Sequence, residues 1–108
     1  MGNQQELMVI VCTPAEAVDR VLDAIADTGG GLIGNYSHCA WQVLGEGQFM
    51  SLEGSNAFIG KIGKVEKVTE YKVETVCEKE KIHDVIRALK SAHPYETPAY
   101  QVLELMDI

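Results

Sequence analysis

The chain opens on an unbroken apolar run, Leu7-Met8-Val9-Ile10-Val11-Cys12. A strand that is apolar at every position needs cover on both of its faces. Thr13-Pro14-Ala15-Glu16 then predicts a helix start. Thr13 can accept from an orphan backbone N–H, Pro14 sits where no donor is required, and Glu16 closes a capping box. Val18, Val21, Leu22, Ile25 and Ala26 recur at steps of three and four and form one apolar stripe. Gly29-Gly30-Gly31 ends that helix, because glycine adopts the left-handed cap conformation at least cost.

The same plan returns about sixty-five residues later. Tyr71 to Cys77 alternates as a half-buried strand, with Cys77 at its end as Cys12 is at the end of the first. Glu78 to Ala92 follows as a helix with Ile82, Val85, Ile86 and Leu89 on its buried stripe. Acidic residues lead it, and Arg87 and Lys90 lie towards its end, as the helix dipole favours. His93-Pro94 stops it, since proline pushes the preceding residue out of the helical region. Between the two units, Leu32 to Leu44 and Gln48 to Glu53 read as extended segments, and Gly45-Glu46-Gly47 between them reads as a hairpin turn. Gly54 to Lys67 reads as a loop and Tyr100 to Leu105 as a last strand. The order β-α-β-β-α-β predicts an α+β, ferredoxin-like sandwich with an elongated central hairpin. We expect one domain over 1–108 with its core at about 6–106. Two helices cover one face of an antiparallel sheet, yet Met8 and Ile10 point away from the side of Leu7, Val9 and Val11. That second apolar face predicts a homo-oligomer.

Composition narrows the function classes. The apolar share of 46% supplies a core, and no apolar run reaches the ~18–20 residues of a membrane helix. No basic cluster precedes the first hydrophobic run, so no secretory signal and no membrane partner is expected. The net charge of −7 argues against a nucleic-acid partner, which needs a basic surface. Charge is uneven: residues 1–60 hold seven acids and one base, residues 61–108 nine acids and eight bases. Three cysteines without CxxC spacing suit reduced thiols in a cytoplasmic protein rather than a disulfide framework or zinc knuckle.

Two stretches carry candidate chemistry, Ile33 to Trp41 and Ala92 to Tyr100. Tyr36, His38, His93, Tyr95 and Glu96 are the expected lining of a cleft between subunits. His38, Cys39, His93 and Glu96 are candidate ligands for a divalent metal ion such as copper or zinc. His38 and Cys39 are adjacent on a predicted strand and point to opposite faces, so any shared ion would draw His38 together with His93 or Glu96 from elsewhere. The structural alternative has His38 hydrogen-bonding across a subunit boundary while Cys39 packs beside Trp41 in the core, and Tyr95 and Glu96 anchoring the helix-to-strand connection. Pro94 and Pro98 stiffen that connection. Gly60-Lys61-Ile62-Gly63-Lys64 lacks the phosphate-loop signature, although Lys61 and Lys64 make it a candidate anion-binding loop for an enzyme of small anionic metabolites.

Gly34-Asn35-Tyr36-Ser37-His38-Cys39, the stretch Leu52 to Gly60, and Ala92-His93-Pro94-Tyr95-Glu96 together resemble the YqfO-type domain of the NGG-interacting-factor-like family. His93-Pro94-Tyr95-Glu96-Thr97-Pro98 also resembles the closing motif of the CutA divalent-cation-tolerance proteins. Both resemblances imply a PII/CutA-like fold that assembles as trimers. In the larger family the dinuclear metal site lies in the main domain, so the resemblance implies no reaction for this segment. The expectation is therefore a non-enzymatic, oligomeric binding or regulatory module. The alternative is a divalent-metal binder of the CutA kind.

Overall fold

A computed structural model describes residues 6–56 and 60–108. Residues 57–59, which belong to the Leu52–Gly60 motif, and the N-terminal residues ahead of the first apolar run lie outside the described residues. Strand β1 (Glu6–Pro14) leads through a 3₁₀ turn (Ala15–Ala17) into helix α1 (Val18–Asp27). Strands β2 (Ala40–Met50) and β3 (Val65–Glu78) follow, then a 3₁₀ turn (Lys79–Lys81), helix α2 (Ile82–Ala92) and strand β4 (Tyr100–Glu104). The four strands form one antiparallel sheet in the order β2-β3-β1-β4, the expected α+β, ferredoxin-like plan. No described helix is long and apolar enough to cross a membrane.

Register decides which face each side chain joins. Leu7 stands opposite Cys77, Val9 opposite Thr75 and Val11 opposite Val73, so all of these share the helix-covered face. There Val9, Val11, Val73 and Cys77 pack with Val18, Val21, Ile25, Val85 and Leu89, and most of these side chains are fully enclosed. The two helical stripes read from the sequence are therefore the two that close the core. Cys12 pairs with Lys72 and lies on the opposite face from Cys77. The two cysteines occupy comparable strand ends but are not equivalent in environment.

Besides the second helix, which starts at Ile82 behind the 3₁₀ turn and not at Glu78, the last residue of β3, three further local expectations need correction. First, Thr13 does not cap α1: it is a fully buried strand residue paired with Tyr71, and its hydroxyl donates to the Pro14 carbonyl at 3.4 Å. Second, Gly45-Glu46-Gly47 is not a turn. Strand β2 runs straight through it, with Gly45 opposite Glu70 and Gly47 opposite Val68, and the chain reverses only between Met50 and Val65. Third, β2 begins at Ala40 rather than Leu32. Residues 32–39 turn instead, with a bridge between Ile33 and Tyr36 and positive φ at Gly34 (56°) and His38 (61°). Gly31, at φ 75°, joins this turn to the sheet by donating to the Val76 carbonyl and accepting from Cys39 N–H. A side chain there would press on the Cys39 backbone as well as strain the left-handed conformation.

The molecule measures 51 × 23 × 23 Å, because the β2–β3 hairpin outruns its neighbours. Strand β1 pairs with β3 only as far as Glu70, whereas β2 continues along it to Val65. Beyond Glu70 the hairpin is a two-stranded arm, and the connection from α2 to β4 crosses its foot.

Candidate functional site

The residues after α2 build the site from inside outward. His93 N–H closes the helix on the Leu89 carbonyl, and its backbone then turns extended ahead of Pro94. Its imidazole is buried. Nδ1 accepts from the Tyr95 N–H at 3.1 Å, so Nε2 carries the proton and donates to the Cys12 carbonyl at 2.7 Å. Burial pulls the His93 pKa below its ordinary value, Arg20 acts in the same direction, and the bond to Cys12 opposes them. Both ring nitrogens are therefore committed to the backbone. Outside α2, Arg20 Nε donates to the Ala92 carbonyl at 2.8 Å and fastens the helix end to α1.

Next comes a series of rings. His93 and Tyr95 stand 5.0 Å apart between centroids, and Tyr95 and Phe49 of β2 stand 6.4 Å apart at 53°. These rings lead from the core to a cavity of about 390 Å³ that starts at the foot of the arm and extends along it to Met50. Its floor is Cys12 of β1 with Val68 and Glu70 of β3; Phe49 and Leu52 form one wall and Tyr95 the other. Glu96 stands at its margin, where Oε1 accepts the Asn56 N–H at 2.9 Å and ties the loop after β2 to the connection before β4.

Gly47 makes room for this arrangement. A methyl group at that position would overlap the Glu70 carboxylate, which lies across the strand. Burial raises the pKa of Glu70. Burial also raises Cys12, with Glu70 adding to the effect and Lys72 opposing it, so this thiol is no activated nucleophile. Tyr95 is raised by burial first, then by Glu70 and Glu16. The sequence reading missed Cys12, Phe49, Gly47 and Glu70. The available signal was a glycine inside an otherwise extended run, which marks a close approach as readily as a turn.

Of the residues expected to share a cleft, His93, Tyr95 and Glu96 cluster here, whereas Tyr36 and His38 do not line the cavity. Tyr36 is exposed in the turn before β2. His38 is also exposed, with Nδ1 3.0 Å from the Ser37 hydroxyl and Nε2 3.9 Å from Asp23 of α1. Cys39 is half-buried and directs its sulfur to the Tyr36 and Ser37 carbonyls. It does not pack with Trp41 in the core: Trp41 lies opposite Glu74 on the uncovered face and is 64% exposed. His38, Cys39, His93 and Glu96 thus form no ligand set within one chain, and among the described residues no three His, Cys, Asp or Glu side chains converge to hold a metal ion. Lys61 and Lys64 are exposed in the loop before β3 and are not among the cavity-lining residues, although the segment between them bridges Ser51, which is; Lys64 N–H bonds the Lys61 carbonyl.

No protein-family model matches the chain. Curated relatives named GTP cyclohydrolase 1 type 2 homolog do match. The Mycobacterium tuberculosis protein is 40% identical over 97 residues, covering 90% of this chain and 26% of the relative. The Bacillus subtilis protein is 42% identical over 92 residues, covering 85% of this chain and 25% of the relative. The chain thus spans about a quarter of the length of these relatives. Among solved structures, the Bacillus cereus protein related to NIF3 superposes with a TM-score of 0.82 at 37% identity, over 94% of this chain and 26% of that one. The periplasmic divalent cation tolerance protein CutA from Archaeoglobus fulgidus gives 0.67 at 20% identity, over 93% of this chain and 83% of that one, a likeness of fold.

Proposed function

We propose that this chain, a homologue of one domain-sized segment of the NIF3-related proteins with a CutA-like fold, is a non-catalytic binding module that works as a homotrimer in a reducing, cytoplasmic setting. The observation that carries the reading is the sheet face opposite the helices. Met8, Ile10 and Val76 emerge there beside Trp41, Val43 and Leu103. Trp41, Val43 and Leu103 are 64%, 44% and 50% exposed in the single chain. These apolar side chains flank the Lys72–Glu74 ion pair at the middle of the face, and their apolar area is favourably removed from water at about 25 cal/mol per Å². Further copies of the chain around one axis would supply cover, and the resemblance to trimeric PII/CutA-like folds supplies the number.

Two of the polar groups around the cavity are spoken for by the backbone, and the remaining carboxylate, Glu70, has no activated nucleophile or second acid–base partner beside it among the described lining residues. His93 holds two backbone groups and Glu96 holds a third. A general base needs a free nitrogen or oxygen aimed at a substrate. Three unpaired thiols suit a reducing compartment.

Light scattering on the purified chain tests the assembly. The expected mass is three times the 11.8 kDa of one chain, falling to the single-chain mass in Trp41→Glu. A wild-type chain that stays at 11.8 kDa in dilute solution refutes the reading.

A further inference from the structure

We propose that the cavity at the foot of the arm binds a small organic cation, an ammonium head carried on an apolar body. The inference rests on the binding-module reading for the claim that the cavity has an occupant, but its chemistry comes from the walls. At about 390 Å³ the space falls at the small end of ligand sites, which run from about 300 to 1,000 Å³.

Its charged lining is of one sign. Glu70 and Glu96 border it, the other titratable groups are the neutral Cys12 thiol and the Tyr95 phenol, and no lysine or arginine is among the described residues that line it. Lys72, two positions along β3 from Glu70, is engaged with Glu74 at 3.7 Å instead. An anion here would meet two carboxylates. A purely apolar guest would strip water from Glu70 without replacing its hydrogen bonds. An ammonium group answers both difficulties through charge-assisted hydrogen bonds.

Glu70 is the natural anchor, because Glu96 already accepts from Asn56 N–H while Gly47 leaves Glu70 a seat across the strand. The apolar body would lie against Leu52 and Val68, and the rings of Phe49 and Tyr95, tilted by 53° to each other, line the same space, where a ring face attracts a cation. Gly47 and Phe49 of β2, Glu70 of β3 and Tyr95 of the connection before β4 come from three separate stretches of chain, so the fold assembles the site.

The test uses three small molecules of one shape and three charges: benzylammonium, benzyl alcohol and benzoate. Each is titrated into isotope-labelled full-length chain and followed by amide NMR, with the oligomeric mass of every sample measured alongside. Saturable shifts at Cys12, Glu70 and Tyr95 with benzylammonium, weaker with the alcohol and absent with benzoate, are the expected result. Glu70→Gln should weaken benzylammonium at least about tenfold, as losing a hydrogen bond to a charged group does. Glu53→Gln, on the exposed loop outside the cavity lining, should leave affinity unchanged. Equal binding of benzoate, undiminished affinity in Glu70→Gln, or no saturable shift with any of the three overturns the proposal. A monomeric chain that still binds benzylammonium sinks the assembly reading alone, and a trimer that ignores it sinks the cavity alone.

Discussion

Replacing His93 by alanine should be among the costliest single changes in this chain. The imidazole is 6% exposed and satisfies the Cys12 carbonyl on β1 and the Tyr95 amide on the connection to β4. Alanine would strand both groups where water reaches them poorly, at about 1–3 kcal/mol each. It would also remove the ring contact with Tyr95, worth about 0.5–1.5 kcal/mol. Together these predict a loss of about 2.5–7.5 kcal/mol, against the about 5–15 kcal/mol that holds a domain folded. Urea unfolding followed by far-UV circular dichroism measures it. His93→Gln, whose amide can still donate to Cys12, should recover at least half of the loss.

The same residue predicts a pH dependence of definite sign. Its folded pKa lies below the ordinary 6.5, so on acidification the unfolded imidazole takes up its proton first. The contribution of His93 is complete above pH 6.5, declines as the pH falls below it, and levels off only beneath the lowered folded value. Protonation also removes the Nδ1 acceptor that Tyr95 N–H uses. Glu70, whose pKa is raised, acts in the opposite sense, so the useful quantity is wild type minus His93→Gln across pH. A loss below about 1 kcal/mol in His93→Ala, or a difference that grows towards acid, would refute the reasoning.

Two further outcomes follow from the packing and the loop anchor. Leu89→Ala, at a fully buried position between α2 and the sheet, should cost about 2–5 kcal/mol, read from the same urea curves. Glu96→Ala should leave global stability within about 1 kcal/mol, since one exposed hydrogen bond is lost. Amide exchange at Asn56 should nevertheless accelerate, and unchanged exchange there would count against the anchor.

Much of the architecture was legible in the residues themselves. The stripes Val18-Val21-Ile25 and Val85-Leu89 face one core, and the apolar run Leu7–Cys12 is the central strand that serves two faces. These are short-range facts: a helix repeats at 3.6 residues and a strand at two, so composition and spacing declare them. His93, Tyr95 and Glu96 were also visible, because prolines isolate them at the end of a helix.

What the residues could not declare was distance. Gly45-Glu46-Gly47 has the composition of a turn, and only pairing with Val68 and Glu70 makes it a strand interior. Within one chain His38 and His93 do not meet, because the turn at residues 32–39 holds one beside α1 while the other is locked to β1. Cys12, Glu70 and Phe49 are scattered along the chain and meet because β3 is longer than β1 and the connection to β4 crosses the gap. Local propensity acts through neighbours a few residues apart, whereas a cavity is set by which strands run past their partners. Periodicity alone therefore determined the layers of this protein, and the unequal lengths of its strands decided where its cavity lies.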